Sequence, residues 1–219
     1  MHLFFIGVSE YLDDLLARIN APLLDNLDIT FFNQLIFDTP QLAQFISRTP
    51  TFKTHNKAHV KFSNLGVSVT ILSTFDDHED DALHLGTRCR QSDWQLSSLA
   101  PIFSSLFHQV LIPAVEHLYI HGETDASLSW QEDIETSQWL ELLHPFIAVK
   151  DLYISQKFTP RIAPTLQDLV GGRVTEVLPA LQTLFLVETL PSGVQETIDK
   201  FVAARELAGH SIAVSHWED

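Results

Sequence analysis

Apolar positions in this chain recur in short blocks of the form apolar-x-x-Leu-x-apolar. The block appears as Val115, Leu118 and Ile120 in "AVEHLYIHGE", as Val149, Leu152 and Ile154 in "AVKDLYISQK", and as Leu181, Leu184 and Leu186 in "ALQTLFLVET". An upstream copy, "PLLDNLDITFF", carries Leu24, Leu27 and Ile29. Alternation of apolar and polar residues across each block predicts a β-strand with one buried face. The central leucines Leu118, Leu152 and Leu184 are almost evenly spaced. Nearly the same interval separates Leu27 from Val60 of "AHVKFS", and Leu85 of "LHLGTRC" from Leu118. Only the step from Val60 to Leu85 is clearly shorter and breaks the cadence.

Helical periodicity fills the intervals. Leu12, Leu15, Leu16 and Ile19 follow i, i+3, i+4, i+7, as do Leu99, Ile102, Phe103, Leu106, Phe107 and Val110 with one more turn. Thr39–Pro40 and Thr159–Pro160 read as a capping hydroxyl followed by proline at the first helical position. Gly171–Gly172 reads as the stop of the second of these helices. Ser192 and Gln195 have capping-box spacing for a last helix that runs to about Gly209.

One strand and one helix in each such interval suit either a doubly wound sheet or a leucine-rich-repeat solenoid. Near-identity of the strand motif favours the solenoid, in which every strand occupies an equivalent place. The expected fold is therefore α/β, a leucine-rich-repeat-like solenoid with a parallel β ribbon on its concave face and helices outside. The period is longer than the usual repeat, and the Asn/Cys position of the standard motif is missing. Where the cadence breaks, "NLG" can close a hairpin with Gly66 in the left-handed position. This predicts one inserted antiparallel hairpin near 58–72. "STFDDHEDDA" then reads as an exposed acidic loop. The first strand, near residues 3–6, is expected to lack a partner on its outer edge.

Composition narrows the function classes. Lys and Arg number 13 against 28 Asp and Glu, a formal net charge of −15, which disfavours nucleic acid as a partner. One cysteine, Cys89, rules out an internal disulfide, and no Asn-x-Ser/Thr site occurs. No apolar run approaches the length of a membrane span, so no membrane partner is expected. These features point to an intracellular chain, in cytoplasm or nucleus.

Signals for chemistry are weak. Asp76 to Asp81 could attract a divalent cation but lack the spacing and glycine of a calcium loop, so a solvated loop is expected. His117 and His121 sit about 13 Å apart on a strand, too far to share a metal. No nucleophile elbow, Walker loop or dinucleotide fingerprint occurs. Cys89, beside Arg88 and Arg90, could be a nucleophile but is expected to be core. No catalytic residue, cofactor or metal is assigned. An α/β enzyme with an unrecognised site, or an orphan truncated repeat protein, are the alternatives to a binding module.

The binding reading rests on register. With Leu118 and Ile120 inward, His117, Tyr119 and His121 point out; next door stand Asp151, Tyr153 and Ser155, then Thr183, Phe185 and Val187. Tyr119, Tyr153 and Phe185 thus form an aromatic ladder about 4.8 Å per step. Flanked by His117, His121, Asp151 and Thr183, it is the expected partner-binding surface, unless it only supports the sheet or another segment covers it.

Several stretches, "DWQLSSLAPIF", "VEHLYIHG", "WLELLHPFIAVKDLYIS", "LVGGRVTEVLPALQTLFL" and "FVAARELAGHSIAVSHWE", resemble the leucine-rich-repeat portion of F-box proteins abundant in mushroom-forming fungi. The resemblance covers most of the chain and is densest over 93–217. It implies the target-recognition part of a ubiquitin-ligase substrate receptor, with an unidentified protein target. The F-box motif itself is not present, so a Skp-type adaptor is implied only if an F-box lies upstream. On this reading 1–219 is a single irregular solenoid, truncated at its N-terminus.

Overall fold

The computed structural model describes residues 1–32, 40–73, 82–89, 95–99, 114–122, 136–169, 171–187 and 190–217. Nine strands, β1 (His2–Gly7), β2 (Asn26–Phe32), β3 (His55–Phe62), β4 (Gly66–Ser73), β5 (Ala82–Arg88), β6 (His117–Gly122), β7 (Asp151–Ile154), β8 (Thr183–Leu186) and β9 (Ala213–His216), form one sheet. Their spatial order is β1-β2-β5-β4-β3-β6-β7-β8-β9. Every pairing is parallel except those of β4, which runs antiparallel to both β3 and β5. The protein is thus α/β with a mostly parallel sheet, open at β1 and β9. The hairpin expected near 58–72 is β3–β4, but Gly66 does not take the left-handed position expected of it; it is the first residue of β4 and pairs with Arg88.

The repeat motif has the equivalence its sequence implies in one half of the sheet. Leu118, Leu152 and Leu184 pair in successive strands, and all three are fully buried. Two other alignments are corrected by two positions. Leu27 pairs with Leu83, not Leu85, and Ala58 rather than Val60 pairs with Leu118. Nor are β2 and β3 neighbours, because β5 and β4 lie between them. The hairpin folds the chain back across its own path, so spacing along the sequence stops reporting neighbours in space.

Five helices are bounded within the described residues, α1 (Ser9–Leu16), α2 (Pro40–Arg48), α3 (Thr136–Leu143), α4 (Thr159–Gln167) and α5 (Ser192–Leu207), and residues 95–99 are helical as well. Their apolar stripes, such as Leu12 and Leu16, Phe45 and Ile46, Trp139 and Leu143, Ile162 and Leu166, and Ile198 and Phe201, share one core with Leu27, Ile29, Val60, Leu118, Leu152 and Leu184. The described helices therefore cover the same face of the sheet. On the other face alternate strand residues stay partly exposed, as the buried–intermediate alternation of β2, β6, β7 and β8 records.

Two helix starts differ from expectation. Thr159 is the first helical residue, and its hydroxyl donates to the Ser155 carbonyl (3.0 Å) instead of capping a backbone N–H. Pro191 takes the position before α5, no side chain caps it, and Gln195 donates to Asp199 (2.9 Å), so the capping box does not form. Gly171 and Gly209 both adopt positive φ, at 59° and 81°. Gly209 ends α5, whereas α4 has already stopped at Gln167, ahead of Gly171. The acidic loop 76–81 and most of the helix expected over 99–110 lie outside the described residues.

β1 is an edge strand on which Phe4 is 59% exposed and Ile6 40%. Both belong to the helix-free face. Arg205 of α5 is fully buried on the opposite side, donating to the carbonyls of Val174 (3.1 Å), Leu178 (3.3 Å) and Pro179 (3.4 Å). It satisfies the turn that carries Leu178, whose φ of 51° is unusual for a residue with a branched side chain.

Candidate functional site

One rung crosses the helix-free face from edge to edge: Phe4, Asp28, His84, Thr70, His59, Tyr119, Tyr153, Phe185 and Ser215 pair in succession. Parallel register places identical strand positions side by side, so the repeated aromatic of the motif becomes a stack. Tyr119 and Tyr153 stack at 4.1 Å between ring centroids, and Tyr153 and Phe185 at 4.2 Å, with planes 10° and 6° apart. His59 of β3 adds a fourth ring, 4.3 Å from Tyr119 and 7° from coplanar. The rings face one another, so what they present outward is edges and the two tyrosine hydroxyls.

The ladder is also partly covered. Trp217, just after β9, lies edge-on to Tyr153 (5.5 Å, 78°) and to Tyr119 (6.1 Å, 69°). Its Nε1 donates to the Ile154 carbonyl at 3.4 Å and its backbone N–H to that of Leu186 at 3.1 Å. The chain end thereby crosses β8 and rests on the stack. Tyr119, Tyr153 and Phe185 are accordingly half-buried.

The flanking residues divide. His117 and Asp151 form a pair across β6 and β7, Nδ1 to Oδ2 2.9 Å, one rung below the stack. Thr183 continues that rung. His121 lies on the other side, edge-on to His59 at 5.6 Å. All the expected residues therefore share one face, on three adjacent rungs. Ser155, expected outward with them, is instead buried just past the end of β7.

Burial sets the electrostatics. It is the main reason that His59 is pulled down to a pKa of about 4, with His121 and Lys57 adding to the effect. The Tyr119 phenol is raised, first by burial and then by its hydrogen bond to Tyr153 and by nearby Asp151. His59 and Tyr119 are thus both uncharged near neutral pH.

Among the described residues no group of three His, Cys, Asp or Glu side chains is placed to hold a metal, and no helix is long and apolar enough to cross a membrane. Cys89 is half-buried beyond β5 and stands outside the apolar core in which it was expected. Reading the sequence missed His59 and Trp217. Alternation along "AHVKFS" puts His59 outward beside Tyr119 once β3 is known to pair with β6; nothing in the tail's pattern marks Trp217. No protein-family model, curated protein or solved structure matches the chain.

Proposed function

We propose that this chain is a non-catalytic protein-interaction module whose helix-free sheet face binds a protein partner through the aromatic ladder. The observation that carries the reading is the four-ring stack on a face left partly exposed, opposite a face covered by helices. Aromatic side chains bring large apolar area with few rotors to immobilise, and Tyr and Trp are enriched where interfaces concentrate their energy. One-sided burial favours the concave ribbon of a leucine-rich-repeat-like solenoid over a doubly wound sheet, whose strands are covered on both faces. Together with the resemblance to F-box repeat proteins, this supports an intracellular role as the target-recognition part of a ubiquitin-ligase substrate receptor. A Skp-type adaptor is then a partner only of a product with an F-box upstream.

The test is affinity capture from the native cell, comparing parent protein with Tyr153→Ala and with a helix-side variant, Asp199→Ala. A recurrent target captured by the parent protein and lost only with Tyr153→Ala supports the reading, and ubiquitin-ligase subunits captured with that target support the receptor assignment. A target retained by Tyr153→Ala and lost with Asp199→Ala overturns it.

A further inference from the structure

Beyond His59 the helix-free face becomes polar and indented. A groove of about 630 Å³ lies across β2, β5, β4 and β3, a volume suited to a small ligand. Its floor is Gly86 of β5, flanked in register by Thr30 and Ser68. A Cβ on Gly86 would stand 3.5 Å from Thr30 Oγ1, 3.6 Å from His84 Nε2 and 3.8 Å from Ser68 Cβ. Three polar side chains therefore surround a space that any other residue at 86 would fill. Glycine weakens a strand interior, and its place in the middle of β5 leaves the backbone there open to a ligand.

Two of the side chains around that space carry hydroxyls, and the third presents a ring nitrogen whose role is set by its other contact. His84 Nδ1 is engaged by Thr70 Oγ1 at 2.9 Å. With the threonine donating, the neutral imidazole carries its proton on Nε2, which faces the space over Gly86. Burial keeps the ring neutral, against Asp28 and together with Lys61. Arg88 stands two residues along the same strand and hence on the same side, its guanidinium 5.2 Å from the centre of the Phe32 ring. Lys61 occupies the same rung as Gly86, one strand beyond Ser68. Among the described lining residues Asp28 is the one carboxylate. That balance reverses the composition of a chain with 28 acidic and 13 basic residues.

We propose that this groove binds a small oxyanion-bearing ligand, a phosphorylated or carboxylated molecule of sugar size, with its anionic group over Gly86. His84 Nε2, Thr30 and Ser68 hydrogen-bond the oxyanion, and Lys61 and Arg88 supply the compensating charge. The groove adjoins the aromatic ladder at His59 and His121, which line its edge, but the proposal rests on the groups around Gly86, so either assignment stands if the other fails.

The experiment titrates the full chain with ribose 5-phosphate, gluconate and uncharged ribose, following the His84 ring nitrogens by NMR. At least one of the two anions is expected to give a saturable shift that weakens with salt, while ribose gives none. Whichever anion binds more tightly identifies phosphate or carboxylate as the source. Gly86→Ala puts a methyl group into the cradle at ordinary contact distances, so it is expected to keep its melting temperature and lose affinity about tenfold or more. Lys61→Met is expected to lose about fivefold. Absence of saturation by either anion up to about 20 mM overturns the proposal. So does binding that Gly86→Ala and Lys61→Met both leave unchanged.

Discussion

Trp217 lies edge-on to Tyr153, 5.5 Å between ring centroids with planes 78° apart, and so joins the end of the described chain to the centre of the sheet. The contact ties β9 and its tail to β7 across β8. Edge-to-face pairs of this kind contribute about 0.5–1.5 kcal/mol beyond the area they bury. A double-mutant cycle of Trp217→Ala and Tyr153→Ala, read by denaturant unfolding, is expected to give a coupling in that range. Strict additivity would show that the tail does not hold the stack.

Leu152 is fully buried between Leu118 and Leu184, with strands on both sides. Leu152→Ala is expected to cost about 2–5 kcal/mol, because a central strand has little room to collapse around the lost methyl groups. A chemical denaturation curve giving less than about half a kcal/mol would place Leu152 outside the core.

Arg205 donates to three backbone carbonyls from a fully buried position, and burial lowers its pKa. Replacing it with leucine keeps apolar bulk but strands those acceptors. With each orphaned group costing about 1–3 kcal/mol, Arg205→Leu is expected to destabilise by about 3 kcal/mol or more. Thermal unfolding checks this; an unchanged midpoint would mean that water or other donors satisfy the turn.

The legible part of this fold is the part where chain order and spatial order coincide. The blocks at Leu152 and Leu184 each follow a helix and join the sheet beside the preceding strand, so equal residues meet equal surroundings. From β2 to β6 the hairpin reverses the path, and equal spacing points to Val60 and Leu85 where Ala58 and Leu83 sit. Alternation survived this error, since a shift of two positions keeps each side chain on its face. The ladder was therefore readable as Tyr119, Tyr153 and Phe185, while His59 needed the β3–β6 pairing. Trp217 follows a short strand, Ala213–His216, that offers too little periodic signal to aim it. The groove was hidden for a similar reason, because Gly86, Thr30 and Ser68 come from three strands whose adjacency only the folded-back hairpin creates.

A histidine kept neutral by burial makes stability depend on pH in a defined direction. An unfolded histidine titrates near 6.5, whereas His59 in the sheet titrates at about 4. Between those values the unfolded chain takes up a proton that the folded chain refuses. Stability is thus whole above about pH 6.5 and falls as pH drops toward 4, His59 contributing on the order of 2–3 kcal/mol. His84, also lowered, adds in the same direction. Denaturant midpoints between pH 6.5 and 4.5 are expected to fall less steeply in His59→Phe, which keeps a ring in the stack. An identical slope would show that His59 is protonated freely in the folded protein.

The claim that the helix-free face is the partner surface is tested most directly by site-specific photocrosslinking. A photoreactive phenylalanine analogue is placed at Thr183, beside the ladder on β8, or at exposed Asp199 on the helix side, and irradiated in the native cell. A discrete adduct of one partner from position 183, with none of that partner from position 199, is the predicted result. The same partner captured from position 199 and never from 183 would contradict the account.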